Sequence, residues 1–409
     1  MDAPTLRFEE FTDGWLSKNL GEISRISSGG TPSRSNKSFW GGDIPWVTTA
    51  EIKFGLIKNS QEKITAIGLK NSSAKIFPKG TLLMAMYGQG KTRGQVAKLG
   101  IDAATNQACA AILLEKDVSQ DYVLQYLGHQ YENIRSLSND GGQKNLSSAL
   151  VKEIPIWLPS IEEQTKIANF LTAVDTKISQ LTKKYELLTL YKKGVMQKIF
   201  SQELRFKDDE GREFPEWKSM SLAELGDTYN GLTGKTANDF GIGANYITYK
   251  QIFDSTKIDT SKFGLVSIEP AECQNVAKYG DLFFTTSSET PNEVGYCSVL
   301  LEDIERLYLN SFCFGYRIKS LEIFSPEYAQ FMFFSSDVRE SIILLAQGST
   351  RYNISKTNFM KIQVPIPVHK EQSKIANFLT AIDDKITNVK SQIEAAKDYK
   401  QGLLQQMFV

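Results

Sequence analysis

The chain has 409 residues, of which 41% are hydrophobic and 23% are charged, a composition typical of soluble globular proteins and not of disordered or fibrous ones. Lys and Arg total 47, and so do Asp and Glu, so the net charge is zero, which by itself argues mildly against DNA binding. No apolar run approaches the roughly 20 residues that span a membrane, and residues 1–10 lack the pattern of an export signal, so we expect a cytoplasmic protein.

Histidine and cysteine usage excludes several classes of enzyme. The two histidines, His129 and His369, lie far apart in the sequence and are too few for a metal cluster or for a nucleophile–histidine–acid set. The cysteines show no C-x-x-C spacing, and we expect small buried side chains in a reduced protein. They are Cys109, Cys273, Cys297 and Cys313.

The first part of the chain alternates short β-rich runs with glycine-rich turns, a pattern typical of a mixed sheet and helix domain. Strands are predicted at 44–49, 81–87 and 108–114, and a helix is predicted over 120–138. Three loop-like stretches carry basic residues and no acidic ones: 23–42, 86–101 and 341–370. Each could be a chance feature of a solvated surface, but together they indicate basic loops with acidic faces elsewhere.

Residues 85–92, AMYGQGKT, fit a loose phosphate-loop pattern. The strict pattern needs glycine in place of Ala85, and it must open a helix whose N-terminus faces the phosphate. Here Arg93-Gly94-Gln95 follows and resembles a returning strand. We interpret the segment as a DNA-facing hairpin that carries Lys91 and Arg93, and nucleotide binding through Lys91 is the alternative.

A long helix is predicted over 162–200, and it occurs twice. Residues 164–200 align without a gap with 372–408 at an offset of 208, and 18 of the 37 positions are identical. Apolar residues recur at steps of three and four, as in the seam of a coiled coil. The seam positions expected to form the spacer and to dock partners are Ile167, Leu171, Val174, Ile178, Ile375, Leu379, Ile382 and Ile386, and the seam continues through Tyr191 and Tyr399.

A seam this narrow needs a partner, and the equivalent helix of the same chain is the nearest one. We therefore expect an antiparallel pair, although each helix could instead pack only on its own domain. At 1.5 Å per residue, each helix would be roughly 58 Å long.

The duplication includes the rest of the chain. Leu6-Arg7-Phe8 and Trp15 correspond to Leu204-Arg205-Phe206 and Trp217, and a helix over 326–346 corresponds to that over 120–138. The loops between these anchors differ: YGQGKTR at 87–93 stands where SSETPNE stands at 287–293. Variable loops on a repeated frame suit two related but distinct recognition tasks.

These features resemble the specificity subunits of Type I restriction-modification systems. The resemblance rests on the GGTPS string at 29–33, on WGGDIPW at 40–46, on NQAC at 106–109, and on the helix starts after Pro159 and Pro367. It covers essentially the whole chain, although the second copy lacks the GGTPS and IPW strings.

The resemblance implies an α+β fold with two target recognition domains and two long helices that form an antiparallel coiled coil. The expected domains are 1–160 (the first head), 161–200 (the central helix), 201–368 (the second head) and 369–409 (the distal helix). It further implies a subunit with no catalytic centre or cofactor, which recognises a bipartite, asymmetric target in double-stranded DNA. Two methyltransferase subunits and the restriction subunits would be its partners, and they would supply S-adenosylmethionine, ATP and Mg²⁺ chemistry.

Base edges are recognised by Arg, Lys, Asn, Gln, Ser and Thr, and by Glu or Asp on cytosine N4. For any one residue, an ordinary solvated loop or a helix cap is an equally acceptable interpretation. The candidates for DNA contact are Ser33, Arg34, Thr48, Lys91, Arg93, Lys144 and Asn145 in the first head and Thr236, Thr248, Lys250, Ser287, Glu289, Arg351 and Asn353 in the second. A different class of function, a coiled-coil scaffold with two protein-binding heads, fits the duplication equally well, but the acid-free loops favour DNA.

Overall fold

A computed structural model describes residues 4–88, 91–137 and 145–408. By its internal contacts the chain divides into two units, one formed by Met1–Thr182 with Ser391–Val409 and the other by Lys183–Lys390. Each unit therefore holds one head together with about half of each long helix.

The first half of the chain contains eleven strands and five helices among its described residues. The strands are β1 (Leu16–Asn19), β2 (Ser24–Ser28), β3 (Trp40–Val47), β4 (Leu56–Ile57), β5 (Glu62–Ile64), β6 (Ile76–Phe77), β7 (Leu82–Ala85), β8 (Val96–Leu99), β9 (Ala103–Thr105), β10 (Cys109–Leu114) and β11 (Pro155–Leu158). The helices are α1 (Ala66–Lys70), α2 (Gln120–His129), α3 (Tyr131–Ser136), α4 (Ser148–Lys152) and α5 (Ile161–Phe200).

A five-stranded sheet in the order β2-β10-β7-β8-β4 is the centre of the first head. Successive residues of a strand point to opposite faces, and both faces of β7 are buried. Leu82 and Met84 belong to the core that contains Tyr122 of α2, whereas Leu83 and Ala85 belong to a second core on the other face. The remaining strands form a four-stranded sheet, β5-β3-β9-β6, and the pair β1-β11.

The second half repeats this plan. Its strands are β12 (Lys218–Ser221), β13 (Gly226–Asn230), β14 (Phe240–Ile247), β15 (Gly264–Val266), β16 (Leu282–Thr285), β17 (Ser287–Ser288), β18 (Cys297–Val299), β19 (Tyr308–Leu309), β20 (Cys313–Ile318), β21 (Tyr352–Asn353) and β22 (Gln363–Ile366). Its helices are α6 (Leu222–Leu225), α7 (Tyr249–Asp254), α8 (Pro326–Met332), α9 (Ser336–Ile343), α10 (Lys356–Phe359) and α11 (His369–Met407).

Sheet pairings show the duplication in three dimensions. The central sheet of the second head has the order β13-β20-β16-β18, which matches β2-β10-β7-β8 of the first. Both heads also carry the same bulge: Trp40 and Ile44 of β3 both pair with Ile64, and the second head has the same arrangement in β14. The α+β fold class is thus confirmed.

The predicted head helices are shorter than expected. The run over 120–138 is broken at Gln130 into α2 and α3, and the run over 326–346 is likewise divided between α8 and α9. Tyr122 and Tyr126 of α2 are buried, whereas most of α3 is solvated. Periodicity alone did not reveal these breaks, because the apolar residues of the two short helices follow one continuous helical spacing across the break.

The two long helices run antiparallel where they meet within each unit. In the first unit, Asp175 of α5 contacts Lys400 of α11, and the adjacent residues Leu6 and Arg7 connect the last turn of α11 with Glu163 in the first turn of α5. Position along α5 therefore decreases as position along α11 increases.

The second unit has the equivalent arrangement. Lys192 contacts Asp383, and Leu204 and Arg205 connect the last turn of α5 with Glu371 in the first turn of α11. The expected antiparallel pair is therefore confirmed, and the seam residues at the helix starts also join the core of each head. The buried seam residues in these cores are Ile167 and Leu171 with Leu403, and Ile375, Leu379 and Ile382 with Val195 and Ile199, while Val174 and Ile386 pack against them.

Two predicted seam positions are wrong. Tyr191 and Tyr399 are 53% and 56% exposed, and the neighbouring side chains of Lys192 and Lys400 are only 20% and 22% exposed. Each lysine buries its aliphatic stem and places its ammonium on an aspartate of the other helix. The sequence favoured the tyrosines because they are apolar. The lysines fit the seam spacing equally well, because the steps 188-192-195 and 396-400-403 also alternate between four and three residues.

A buried polar pair fastens each head to the start of its long helix. Glu163 is 1% exposed and accepts two hydrogen bonds from Arg7, both at 2.8 Å. Glu371 is 0% exposed and accepts from Arg205 at 3.2 and 2.8 Å and from Trp217 Nε1 at 2.9 Å. The repeated arginines of the two openings are thus explained by contacts with the helix, whereas the two tryptophans differ, because Trp217 bonds to Glu371 and Trp15 Nε1 is buried without a hydrogen-bond partner among the described residues.

The remaining sequence predictions have mixed outcomes. Cys109, Cys297 and Cys313 are buried as expected, but Cys273 is exposed. Burial raises the pKa of both the Cys109 and the Cys313 thiols to about 12, so these are inert apolar groups. None of the helices in the described part of the chain has the length and apolarity needed to cross a membrane.

Candidate nucleic-acid interface

Four predicted residues of the second head lie together because two short strands pair. Ser287 of β17 is opposite Asn353 of β21, so Glu289 and Arg351 are brought to the same edge although they are distant in sequence. Tyr249, the first residue of α7, donates its hydroxyl to the Ser287 carbonyl at 2.8 Å. This edge is the best-assembled cluster of predicted residues in the second head.

A pocket of about 350 Å³ opens at this edge. Tyr249 and Phe253 stack with ring centroids 6.0 Å apart, and Phe312 is 62% exposed. The Phe312 amide donates to Asn310 Oδ1 at 2.9 Å, which fixes the turn that presents the ring. The lining residues are Tyr249, Phe253, Ser287, Ser288, Glu289, Glu293, Phe312 and Arg351.

The pocket combines aromatic and charged side chains of different burial. Burial, with smaller effects from nearby charged groups, raises the pKa of the Tyr249 phenol, so it remains a neutral donor at physiological pH. Glu289 and Arg351 are exposed, and Glu293 is half-buried. Aromatic surface, carboxylates and one guanidinium thus face the same space.

The first head has the same backbone frame at this edge. Met86 N–H donates to the Ala108 carbonyl at 2.9 Å, and the equivalent Thr286 N–H donates to the Phe312 carbonyl at 3.1 Å. Leu146 N–H bonds to the Met86 carbonyl at 3.0 Å, as Ile354 does to Thr286 at 3.2 Å. Corresponding backbone positions therefore carry different side chains in the two heads.

Two candidates of the first head, Lys91 and Asn145, are close to this edge in sequence, and Tyr87, which was not predicted, directly follows Met86. Tyr87 is 41% exposed, Lys91 is exposed, and Asn145 directly precedes Leu146. The strand β8 pairs antiparallel with β7, so a strand follows Lys91 where a phosphate loop would need a helix. Lys144 lies outside the described residues.

Arg93 and Arg34 are both engaged with their own head. Arg93 Nη2 donates to the Arg135 carbonyl at 2.7 Å, which directs its guanidinium towards α3. Arg34 lies over Trp40 at 3.8 Å from the ring centroid and forms a two-bond pair with Glu62, one of 2.8 Å. The hydrogen bond from Arg34 lowers the pKa of Glu62.

The Arg34 loop reaches the same edge as Tyr87. Thr31 in this loop donates to the side-chain carbonyl of Gln107, the residue before Ala108. Ser33 shares a 2.8 Å hydrogen bond with Ser35, and its carbonyl accepts from Trp40 Nε1. The Arg34 side chain is 54% exposed although it is paired with Glu62, and its contact with DNA remains a prediction.

Three predicted threonines are helix caps. Thr48 Oγ1 bonds to Glu51, Thr236 Oγ1 bonds to Asp239 at 2.8 Å, and Thr248 Oγ1 accepts from the Gln251 amide. The T-x-x-E/D/Q spacing was the sequence signal for this role. DNA contact by these three remains a prediction that would require them to serve both purposes.

The remaining candidates of the second head are surface groups. Lys250 is 84% exposed at its side chain and pairs with Asp254 one helical turn away. Asn353 Nδ2 donates to the Arg351 carbonyl at 3.3 Å, so it stiffens the turn that carries Arg351. Tyr249, Phe253 and Phe312 were missed by sequence reasoning, since an aromatic residue in a loop is more often part of a core.

Comparison with known proteins gives the family. The model of the Type I restriction modification DNA specificity domain matches the chain twice, over residues 12–190 and 215–397. The chain belongs to this family. The two matches correspond to the two copies of the internal duplication.

Curated relatives of the chain agree with this family assignment. The specificity subunit of MjaIX from Methanocaldococcus jannaschii is 30% identical over 236 residues, which are 54% of this chain and 53% of that protein. That of MjaVIII from the same organism is 25% identical over 417 residues, or 96% and 92% of the two chains. The first match thus spans about half the length of the relative, whereas the second spans nearly all of it.

Two solved structures share the fold. The S subunit of M. genitalium superposes with a TM-score of 0.62 at 15% identity and covers 100% of this chain and 99% of its own. A chain from a study of complex assembly and conformational transition of the type I R-M system gives 0.56 at 15% identity, with 98% of each chain covered.

Specificity subunits are the non-catalytic components of Type I systems, so the prediction that this chain is not itself an enzyme is confirmed. Within the described residues, no three His, Cys, Asp or Glu side chains are grouped so that they could hold a metal ion.

Proposed function

We propose that this chain recognises a bipartite, asymmetric DNA sequence and directs methylation and restriction by partner subunits of a Type I complex. The observation that supports it best is the repeated edge: one backbone frame presents Tyr87 and Ala108 in the first head and Ser287 and Phe312 in the second. Identical frames with different side chains are what two different half-sites would need, because base identity is distinguished by side-chain chemistry.

The partners follow from the duplicated helices. Two near-identical helices offer two near-identical surfaces, so one partner species can bind twice. We propose two methyltransferase subunits at these surfaces, with restriction subunits added in the full complex. S-adenosylmethionine, ATP and Mg²⁺ would be bound by those partners in the cytoplasm.

The helices would also set the gap between the half-sites. The pairs Asp175–Lys400 and Lys192–Asp383 fix the register of the two helices within each unit. Inserting whole helical turns at 176–190 should lengthen the gap and leave base identity unchanged, since the heads are untouched. Mapping of methylated sites would show this, and a change in base identity with a constant gap would exclude the spacer role.

The main test uses the chain co-expressed with its methyltransferase partner. Methylated adenines mapped across the genome should define one split target, and the complex should shift a duplex that carries it in a gel. Replacing residues 21–145 with the first head of another family member should change one half-site only. If the assembled complex binds DNA without sequence preference, the alternative of a scaffold with protein-binding heads is favoured instead.

A further inference from the structure

The pocket beside Ser287 has no chemical equivalent in the first head. At the positions that correspond to Tyr249, Phe253 and Phe312, the first head has Thr49, Lys53 and Ala108. The backbone frame is the same, and Tyr87 adds an aromatic ring to this edge of the first head, but among the described residues the three aromatic positions that wall the pocket are aromatic in the second head alone. A difference of this kind on a duplicated frame indicates a task that only the second head performs.

The walls suit a flat aromatic ligand. Tyr249 and Phe253 are parallel within 17°, and Phe253 in turn lies 5.2 Å from the ring of Tyr296, so the wall is supported from behind. Phe312 lines the pocket while 62% exposed, and the hydrogen bond that its backbone N–H donates to Asn310 Oδ1 fixes the turn that carries it. Nucleobases that leave a duplex or a stack are held on such aromatic surfaces because every base has a π-face.

The polar groups of the pocket favour a base whose edge carries hydrogen-bond donors. Glu289 and Glu293 line the pocket, and the Ser288 hydroxyl is bound to the Thr290 carbonyl of the same turn. Carboxylates accept hydrogen bonds from exocyclic amino groups such as cytosine N4. Arg351 at the same pocket supplies the cation that the neighbouring phosphate would require.

The volume agrees with a small ligand. At about 350 Å³, the pocket is at the lower end of the range of roughly 300–1,000 Å³ that small-molecule sites occupy. This space suits one planar base with its sugar outside.

We propose that the second head holds one unstacked nucleobase in this pocket, a base with an exocyclic amino group, between Phe312 and the Tyr249–Phe253 wall. The proposal rests on the function proposed above and deepens it. The base belongs to the half-site of the second head and is distinct from the adenine that the partner methylates. Unstacking costs free energy, and stacking on the pocket walls offsets that cost.

A mismatch scan tests this proposal. The probes are duplexes that carry the mapped target, in which each base pair of the second half-site is replaced in turn by a mismatch that keeps the original base on one strand. A base that must unpair is released more easily from a mismatch, so binding of the complex should tighten about tenfold at one position besides the methylated adenine.

The variants give the matched controls. Phe312→Ala introduces the residue that the first head has at this position, so it retains the fold, and it should abolish the tightening. Glu289→Leu, which removes both acceptor oxygens, should abolish it too, whereas Glu305→Leu, which changes an exposed carboxylate of the same head outside the pocket, should not.

The outcomes separate this proposal from the function on which it rests. If the complex binds its target specifically but no second position tightens, or if the tightening persists in Phe312→Ala, the pocket proposal is overturned and DNA recognition stands. If the complex shows no sequence preference at all, the proposed function itself fails.

Discussion

At the scale of single residues, two equivalent glutamines hold the heads to the long helices through the same two hydrogen bonds, and Gln372 makes one more. Gln164 accepts a hydrogen bond from the Ser119 amide and donates to the Pro159 carbonyl, both at 2.9 Å. Gln372 accepts from the Ser325 amide and donates to two carbonyls, those of Ile323 and Pro367. The repeated Pro-x-x-x-x-Gln motif contains both the glutamines and the proline carbonyls that they bind, but the serine amides lie 45 and 47 residues away and could not be found from it.

We expect Gln372→Ala to lower the free energy of unfolding by roughly 2–4 kcal/mol, because it leaves buried backbone groups without partners at about 1–3 kcal/mol each. Gln164→Ala should cost less, since one carbonyl fewer is involved. Urea denaturation followed by circular dichroism measures both. Gln405→Ala, an exposed glutamine of the same helix, should have almost no effect, and equal losses for all three variants would contradict this account.

At the scale of elements, the seam between the long helices depends on ion pairs that repeat with the duplication. Lys400 Nζ lies 2.7 Å from Asp175 Oδ1, and Lys192 Nζ lies 2.6 Å from Asp383 Oδ1. The offset of 208 converts one pair into the other. Apolar periodicity predicted both helices and their antiparallel pairing, yet it could not show that a lysine would be preferred to a tyrosine at the seam. That choice depends on which residue faces an aspartate of the other helix.

Asp175→Lys should destabilise the first unit because two ammonium groups would then face each other at the seam. Adding Lys400→Asp should recover part of the loss. A coupling of roughly 0.5–1 kcal/mol is expected, since both side chains are partly exposed and solvent screens them. A double-mutant cycle in urea gives the coupling, and the same charge reversal at the exposed pair Lys183–Glu186 serves as the control. Zero coupling at Asp175–Lys400 would show that the pair does not set the register.

At the scale of the whole molecule, the contact between Leu6 and the end of α11 repeats the contact between Leu204 and the end of α5. In the second case the two partners are joined by the continuous chain. Leu204 N–H donates to the Lys198 carbonyl at 2.9 Å, and Leu6 N–H donates to the Gln406 carbonyl at 2.9 Å. Positions 198 and 406 are equivalent in the duplication. The segment around Leu6 therefore occupies, at the end of α11, the place that residues 201–206 occupy at the end of α5.

A circular permutant should consequently fold. Phe408 would be joined to Leu6 through three residues, as Phe200 is joined to Leu204, and the chain would be opened between Gln202 and Glu203. Glycine should stand in the middle of the new link, because Gln202 has φ 61°, a left-handed conformation that glycine adopts without strain.

The melting temperature of this permutant should remain within a few degrees of the parent, because opening a surface link removes little packing. Thermal denaturation followed by circular dichroism would measure it. A second permutant opened between Lys183 and Lys184, inside α5, should melt well below the parent. Equal loss in both permutants would show that the ends do not form an equivalent junction.

The sequence by itself determined the duplication, the two long helices, the mixed heads and the family, because each of these is recorded in local periodicity or in residues that repeat at a fixed offset. Only the tertiary structure decided which residues share a surface. Ser287 meets Asn353 through strand pairing, Glu289 and Arg351 line one pocket, and Glu163 and Glu371 are buried beside Arg7 and Arg205. Such outcomes depend on contacts between segments distant in the chain, and the free energy of those contacts is not encoded in the pattern of either segment alone.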